Sequence, residues 1–253
     1  MPENGKAETI IENGIATVTF FHPQSNSLPG TVLQKLAAEI EAAGSNKDVS
    51  VIILKSEGEK AFCAGASFDE LISIQNLEEG KKFFSGFAAV INAMRKAPRF
   101  VIARIQGKAV GGGVGLACAA DYTLALDSAS VKLSELAIGI GPFVVGPAVE
   151  RKIGTSAFAQ LSMDATEWRT AQWAKEKGLY AEVFSSAEEL DRAVMTLAGK
   201  LAASNPEAMH ELKKIFWEGT GHWDKLLIER AEISGRLVLS EFTRKAIEKF
   251  KGK

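Results

Sequence analysis

Cysteine and histidine are scarce in this chain, and their placement excludes several kinds of site. The 253 residues include two cysteines, Cys63 and Cys118, so a framework of disulfides is excluded. Both lie among small apolar residues, which favours reduced structural thiols in a cytosolic protein. The three histidines, His22, His210 and His222, are scattered, and none has metal-ligand spacing with another. We therefore expect no metal site.

Long apolar runs and an excess of one charge are also missing. The longest apolar candidate, Leu136–Val149, is interrupted by three glycines and two prolines, and it falls short of the roughly 20 residues of a membrane helix. The N-terminal segment Met1–Lys6 is polar and lacks the apolar core of a secretory signal. Lys plus Arg total 30 against 31 for Asp plus Glu, so neither nucleic acid nor an anionic membrane is expected as a partner. These features predict a cytoplasmic protein.

Strands and helices alternate over the first half of the chain. Asn13-Gly14, between Thr9–Glu12 and Ile15–Phe21, predicts a hairpin. The other elements predicted before residue 135 are helices at Thr31–Ala43 and Leu77–Lys96 and strands at Val51–Lys55, Phe100–Ile105, Tyr122–Leu126 and Val131–Leu133. This alternation predicts an α/β layer structure with parallel strands.

From Pro147 onward the pattern is almost wholly helical. The predicted helices are Ala148–Lys152, Ser156–Ser162, Glu167–Lys177, Ala187–Ser204, Pro206–Gly219, Trp223–Leu239 and Glu241–Lys251. No linker separates them from the α/β part, so we expect them to pack on it or on a neighbouring subunit. We divide the chain into an α/β core at residues 1–190, which holds the candidate site, and a helical C-terminal region at residues 191–253.

Two glycine-rich loops are the most informative feature of the chain. Residues 61–71 read AFCAGASFDEL and residues 107–115 read GKAVGGGVG, each after an apolar run and each before a helix-like stretch. Such loops leave backbone N–H groups uncovered, so two of them side by side could hold a developing oxyanion. Gly112 would begin the helix running to Ala120, where free N–H groups and the helix dipole favour negative charge.

Other interpretations of these glycines remain open. Either loop alone is compatible with a tight turn or a close helix–strand contact. A dinucleotide-binding fingerprint fits less well, because Gly111–Gly115 lacks the intervening positions of G-x-G-x-x-G, and the chain has no Gly-Lys-Ser/Thr of a phosphate-binding loop.

In this order and spacing, the two loops resemble those of the crotonase (enoyl-CoA hydratase/isomerase) superfamily. The resemblance covers most of the chain and implies a crotonase-like spiral of β-β-α units with a helical C-terminal trimerisation region. It implies an acyl-CoA thioester as substrate, no separate cofactor because CoA is part of that substrate, and a homotrimer or a dimer of trimers. Ala66 and Gly112 match the two backbone oxyanion donors.

The resemblance also singles out one glutamate. Hydratases of this family use two glutamates to hold and activate a water, and the position of the first is Gly115 here, whereas Glu135 matches the second. One carboxylate beside an oxyanion hole could take a proton from one carbon and return it to another. We therefore expect a shift of the double bond from 3-enoyl to 2-enoyl, with Glu135 as the proton shuttle. Because Gly115 lacks a catalytic side chain, Gly115→Ala is expected to be nearly silent.

Rival readings are a hydratase, a thioester hydrolase or a decarboxylase, all of which an oxyanion hole would serve, and a non-catalytic acyl-CoA binder. For Glu135 itself the alternative is a solvated surface charge. The residues that the resemblance assigns to binding of the CoA substrate are Lys60, Ala64, Gly65, Gly111, Phe250 and Lys253. Phe143, Val144 and Val145 are expected to form an apolar, bulky wall close to the acyl chain.

Overall fold

The computed structural model describes residues 5–251, with side chains as far as residue 249. Its strands are β1 Lys6–Glu12, β2 Ile15–Phe21, β3 Ser27–Leu28, β4 Val51–Ser56, β5 Ala61–Cys63, β6 Gly65–Ala66, β7 Phe100–Ile105, β8 Lys108–Val110, β9 Tyr122–Leu126, β10 Val131–Lys132 and β11 Glu182–Phe184. Its α-helices are α1 Gly30–Ser45, α2 Phe68–Ser73, α3 Leu77–Lys96, α4 Gly112–Ala119, α5 Gly146–Met163, α6 Ala171–Glu176, α7 Ala187–Ala202, α8 Pro206–Phe216, α9 Trp223–Val238 and α10 Glu241–Lys251. A 3₁₀ helix, Glu135–Ile138, follows β10.

The main sheet has six strands in the order β1-β2-β4-β7-β9-β11. Its first pair is the antiparallel hairpin that the sequence predicts, turning at Asn13 and Gly14, which have φ values of 51° and 78°. Positive φ at both central positions is what a two-residue hairpin turn requires. The remaining neighbours pair in parallel, which confirms the predicted α/β layer structure.

Two small parallel sheets carry the glycine-rich loops. One has the order β10-β8-β5, and the other pairs β3 with β6. Because β5 and β8 are parallel neighbours, the segments that follow their carboxyl ends leave the same edge of the sheet. The loop around Ala66 and the loop at Gly111–Gly115 therefore start side by side, at the kind of edge where α/β proteins place their sites.

Helices cover both faces of the main sheet. On one face α1, α3 and α4 bury the large core, in which Leu36, Ile52 and Met94 are fully buried. On the other face α7 packs Leu190 and Val194 against the sheet. The boundary that we placed at residue 190 lies within α7, and the division into two regions stays a prediction.

A close helix crossing brings α9 onto α3. A Cβ on Gly80 of α3 would lie 2.7 Å from the Cα of Gly235 on α9, so neither position accommodates a side chain without movement. The two backbones approach closely only because both residues are glycines. The crossing places the phenylalanines of α3 and Ser234 of α9 around the same cavity, described below.

The C-terminal half departs from the prediction of an almost wholly helical region. β11 adds to the edge of the main sheet through β9, and its three residues are too short to show a strand period. Residues 167–170 are not helical, because Arg169 forms an isolated bridge with Val131 and Thr170 caps α6. The two helices predicted on either side of Gly154 form one element, α5, broken at Gly154 by its φ of 75°.

Helix α10 packs on the segment that carries Glu135. A Cβ on Gly139 would lie 2.5 Å from the ring of Phe242 and 2.7 Å from the hydroxyl of Thr243, both in α10. Ile247 of α10 is buried in a cluster with Ile140. None of the helices in residues 5–251 has the length and apolar character that a membrane crossing needs.

Candidate active site

A cavity of about 210 Å³ lies where β6, the start of α4 and the 3₁₀ helix meet. Five phenylalanines contribute to its lining: Phe68, Phe83, Phe84, Phe87 and Phe143. Its polar side chains are those of Ser27, Ser134, Ser234 and Glu135. Of the described residues around the cavity, only Glu135 has a titratable side chain, so any acid–base chemistry here depends on it.

The two glycine-rich loops border this cavity side by side, as the sequence predicts. A Cβ on Gly65 would lie 3.3 Å from the carbonyl oxygen of Val110 and 3.9 Å from the nitrogen of Gly112. Gly112 is the first residue of α4, so its N–H has no acceptor within the helix. That N–H and the positive end of the helix dipole favour a negative charge at the cavity.

Hydrogen bonds to β3 fix the position of Ala66. The Ser27 hydroxyl donates to the Ala66 carbonyl oxygen at 2.9 Å, and the Ser67 N–H donates to the Leu28 carbonyl oxygen at 2.9 Å. Both sides of the peptide that follows Ala66 are thereby tied to the neighbouring strand. A backbone held in this way keeps its N–H groups in place before a ligand arrives, which is the condition for electrostatic stabilisation of an anion.

Glycine is required at two positions of α4 for packing as well. A Cβ on Gly112 would lie 2.3 Å from the ring of Phe87, and a Cβ on Gly113 would lie 2.4 Å from the carbonyl oxygen of Cys63. The close helix contact that we left open from the sequence is therefore present. It is compatible with an oxyanion role, because the same lack of side chains leaves the Gly112 N–H uncovered.

Glu135 lies against the second glycine-rich loop. A Cβ on Gly111 would lie 2.9 Å from Oε1 of Glu135. The other carboxylate oxygen, Oε2, is buried and has no hydrogen-bond partner in the described part of the chain. Burial of the carboxyl raises the pKa of Glu135 from 4.5 to about 7, opposed by a hydrogen bond from its own backbone. Although the residue as a whole is half-buried, its carboxyl group is not a solvated surface charge.

The position that would hold a second carboxylate is closed by Val145. A Cβ on Gly115 would lie 2.4 Å from Cγ1 and 2.7 Å from Cβ of Val145. Val145 lines the cavity and Gly115 does not. The expectation that Gly115→Ala is nearly silent is therefore wrong, because even a methyl group at this position collides with a buried neighbour.

Among the residues expected to bind CoA, the structure brings Ala64, Gly65 and Gly111 to the cavity. Lys60 is exposed and does not line it. Lys253 lies outside the described residues, and so does the side chain of Phe250. Phe143 and Val144 line the cavity beside Val145, and they form the apolar wall that the sequence predicts.

Sequence reasoning missed the aromatic wall on α3 and the serines at 27 and 234. Phe83 and Phe87 are four residues apart, which places them on one face of a helix, but that spacing alone does not distinguish a cavity wall from ordinary core. What directs this face to the cavity is the crossing at Gly80 and Gly235, a tertiary contact that local patterns do not show.

A sequence profile described as "Enoyl-CoA hydratase/isomerase" matches residues 10–251. The mitochondrial methylglutaconyl-CoA hydratase of Rattus norvegicus is 35% identical over 198 residues, which are 77% of this chain and 62% of that protein. This chain therefore spans less than two thirds of the length of that relative. The peroxisomal Delta(3,5)-Delta(2,4)-dienoyl-CoA isomerase of Arabidopsis thaliana is 31% identical over 191 residues, covering 70% of this chain and 67% of that protein.

The fold is also that of a solved hydratase structure. The crystal structure of enoyl-CoA hydratase from Bacillus halodurans aligns with a TM-score of 0.88, covering 96% of this chain and 99% of that chain at 22% identity. The fold is that of the enoyl-CoA hydratase/isomerase class of proteins. The chain belongs to the enoyl-CoA hydratase/isomerase family, whose relatives named above are enzymes of hydratase or isomerase type.

Proposed function

We propose that the chain moves the double bond of an enoyl-CoA from C3 to C2. Glu135 carries the proton, and the backbone N–H groups of Ala66 and Gly112 hold the thioester oxygen while it gains negative charge. The observation that supports this proposal best is the cavity lining, in which Glu135 has the one titratable side chain among residues 5–249. A reaction served by a single base fits that lining.

The proposed reaction needs no co-reactant. The Glu135 carboxylate takes a proton from C2 of the 3-enoyl thioester, and the electron pair spreads over the thioester oxygen and C4 as a dienolate. The protonated Glu135 then returns the proton to C4, which leaves the double bond between C2 and C3. A pKa of about 7 for Glu135 suits both steps, because the group is available as a base and as an acid near neutral pH.

Hydration is the second candidate, and one relative is named a hydratase. Addition of water requires that the water be held and deprotonated while C2 receives a proton. The position from which a second carboxylate would assist is Gly115, and Val145 fills the space in front of it. The geometry therefore favours the shift of the double bond over hydration. Thioester hydrolysis, decarboxylation and acyl-CoA binding without catalysis would also use the paired loops.

Several parts of the proposal extend beyond the cavity. Gly65 and Gly111 are proposed to contact the thioester end of the substrate, and Lys60, Ala64, Phe250 and Lys253 its nucleotide end. CoA enters as part of the substrate and no separate cofactor is proposed. A homotrimer or dimer of trimers, and a cytoplasmic location, also stay predictions.

A panel assay tests the proposal. The protein is incubated with 3-enoyl-CoA and 2-enoyl-CoA thioesters of short and medium chain length, and the double-bond shift and hydration are followed separately. We expect turnover of the 3-enoyl substrates to exceed hydration of the 2-enoyl substrates. Hydration that is faster than the shift across the panel would overturn the proposal, and binding of both substrates without turnover would indicate a non-catalytic binder.

A further inference from the structure

Val145 stands between α4 and the cavity, and we infer that it determines which reaction the site performs. By filling the space in front of Gly115, it leaves no room for a second acid–base side chain or for a water held by one. The site is thereby restricted to moving a proton between carbons. This inference rests on the proposed function and adds a specificity-determining residue to it.

Val145 is buried and packs closely against Gly115. Val145 is the residue before the first turn of α5 and is 4% exposed. Its Cγ1 and Cβ lie 2.4 Å and 2.7 Å from the place of a Cβ on Gly115, and Cδ1 of Ile91 lies 3.6 Å from the same point. Replacing Val145 by alanine would keep the contact at 2.7 Å, so only glycine at 145 opens the path from position 115 to the cavity.

The wall beside Val145 is also unsuited to holding water. Phe87, Phe143 and Val144 line the cavity with Val145, and none of them offers a polar side-chain atom. An ordered water needs two to four polar partners. Among the described residues that line the cavity, only Glu135 has a side chain that could deprotonate such a water.

Hydration demands more of the site than the double-bond shift does. A base takes a proton from the water, the oxygen bonds to C3, the electron pair moves to the thioester oxygen, and C2 then receives a proton. Two protons move at two places, so two carboxylates perform the task better than one. A glutamate at 115 facing a glycine at 145 would supply the second carboxylate to the cavity that Glu135 lines.

The test introduces hydratase activity by a pair of substitutions. Four variants are compared for hydration of a short 2-enoyl-CoA: Gly115→Glu, Val145→Gly, Gly115→Glu/Val145→Gly, and the matched control Gly115→Gln/Val145→Gly. We expect the double variant with glutamate to exceed the control with glutamine by about 100-fold or more, the usual contribution of a positioned acid–base group. Gly115→Glu alone is expected to stay at the control level, because Val145 blocks its side chain.

Two results of this comparison would overturn the inference. One is Gly115→Glu hydrating as fast as the double variant, which would mean that Val145 is no barrier. The other is a double variant that keeps its circular dichroism spectrum and binds the thioester, yet hydrates no faster than the glutamine control. Hydration is measured from the 2-enoyl substrate, so a wild type that fails to shift the double bond would refute the proposed function without affecting this comparison.

A milder variant keeps the inference testable if the double variant does not fold. Val145→Ala removes two methyl groups beside the cavity and adds none. When the double-bond shift is run in D₂O, we expect more solvent deuterium at C4 of the product from Val145→Ala than from the wild type. Equal incorporation in the two proteins would show that Val145 does not keep water from the proton on Glu135.

Discussion

Replacing Glu135 by glutamine should abolish the double-bond shift and also stabilise the protein above pH 7. Glutamine has nearly the shape of glutamate, so the packing against Gly111 is kept while the charge and the base are removed. Because the Glu135 carboxyl contributes the one titratable group to the described lining of the cavity, no neighbour can substitute for it. A positioned acid–base group contributes about 100- to 10,000-fold to a rate, and we expect a loss of that size in kcat.

The stability change follows from the pKa of the buried carboxyl. Its pKa is about 7 in the folded protein against 4.5 as the ordinary value, so between these pH values the folded state binds more protons than the unfolded state. The free energy of unfolding of the wild type therefore falls as the pH rises from 4.5 to 7. The full shift corresponds to about 3–4 kcal/mol at most, at roughly 1.4 kcal/mol per pKa unit.

The assay is denaturant unfolding of both proteins at pH 5 and pH 8. Glutamine at 135 does not ionise, so the variant should gain stability relative to the wild type between the two pH values, by up to about 3 kcal/mol. The matched control is Glu41→Gln, at an exposed position of α1, which should change neither the rate nor this pH dependence. In the wild type, kcat/KM should fall about tenfold per pH unit below 7, because the protonated carboxyl is no base.

Two results would refute this reasoning. A Glu135→Gln protein with near-wild-type kcat would remove the proton shuttle from the account. A stability difference between variant and wild type that is the same at pH 5 and pH 8 would show that the carboxyl does not titrate as a buried group. The first result tests the role of Glu135 in the reaction, and the second tests the raised pKa of its carboxyl, so either prediction can be refuted without the other.

Further predictions concern packing and assembly. Gly80→Ala should destabilise the protein by about 1–3 kcal/mol, seen as a lower denaturant midpoint, because the added methyl group collides with α9 at the α3–α9 crossing. Gly199→Ala should instead stabilise it by up to about 1 kcal/mol, because Gly199 lies at an exposed helix position with open space around it. Asp121→Asn should cost about 3–5 kcal/mol in unfolding experiments, because it leaves Lys213 buried without the carboxylate 2.5 Å away; an unchanged midpoint would contradict this. Light scattering at micromolar concentration should give the mass of a trimer, and a monomer would refute the predicted assembly.

The elements with strong local signals were predictable from the sequence. The hairpin follows from Asn13-Gly14, and the bounds predicted for Leu77–Lys96, Phe100–Ile105 and Tyr122–Leu126 are those of the structure. These segments carry long periodic or continuous apolar patterns ended by turn and cap residues, so local chemistry suffices. The three-residue β11 lacks such a pattern, since its pairing with β9 is a long-range contact.

The candidate site was predictable in part. The two loops and Glu135 carry motifs in the sequence, and the structure brings them to one cavity. What encloses them depends on tertiary packing: the ring of Phe87 over Gly112, and Val145 against Gly115. A glycine in a sequence shows that a side chain is missing, but only the fold shows what occupies the space instead, and this is why the effect expected of Gly115→Ala was wrong.

The most direct test of the account follows a labelled hydrogen through the reaction. A 3-enoyl-CoA carrying deuterium at C2 is converted by the wild type in ordinary water, and the product is analysed for deuterium at C4. If Glu135 alone takes the proton from C2 and returns it to C4 before it exchanges with solvent, part of the deuterium appears at C4. A product with no deuterium at C4, or no conversion of the 3-enoyl substrate at all, would contradict the account.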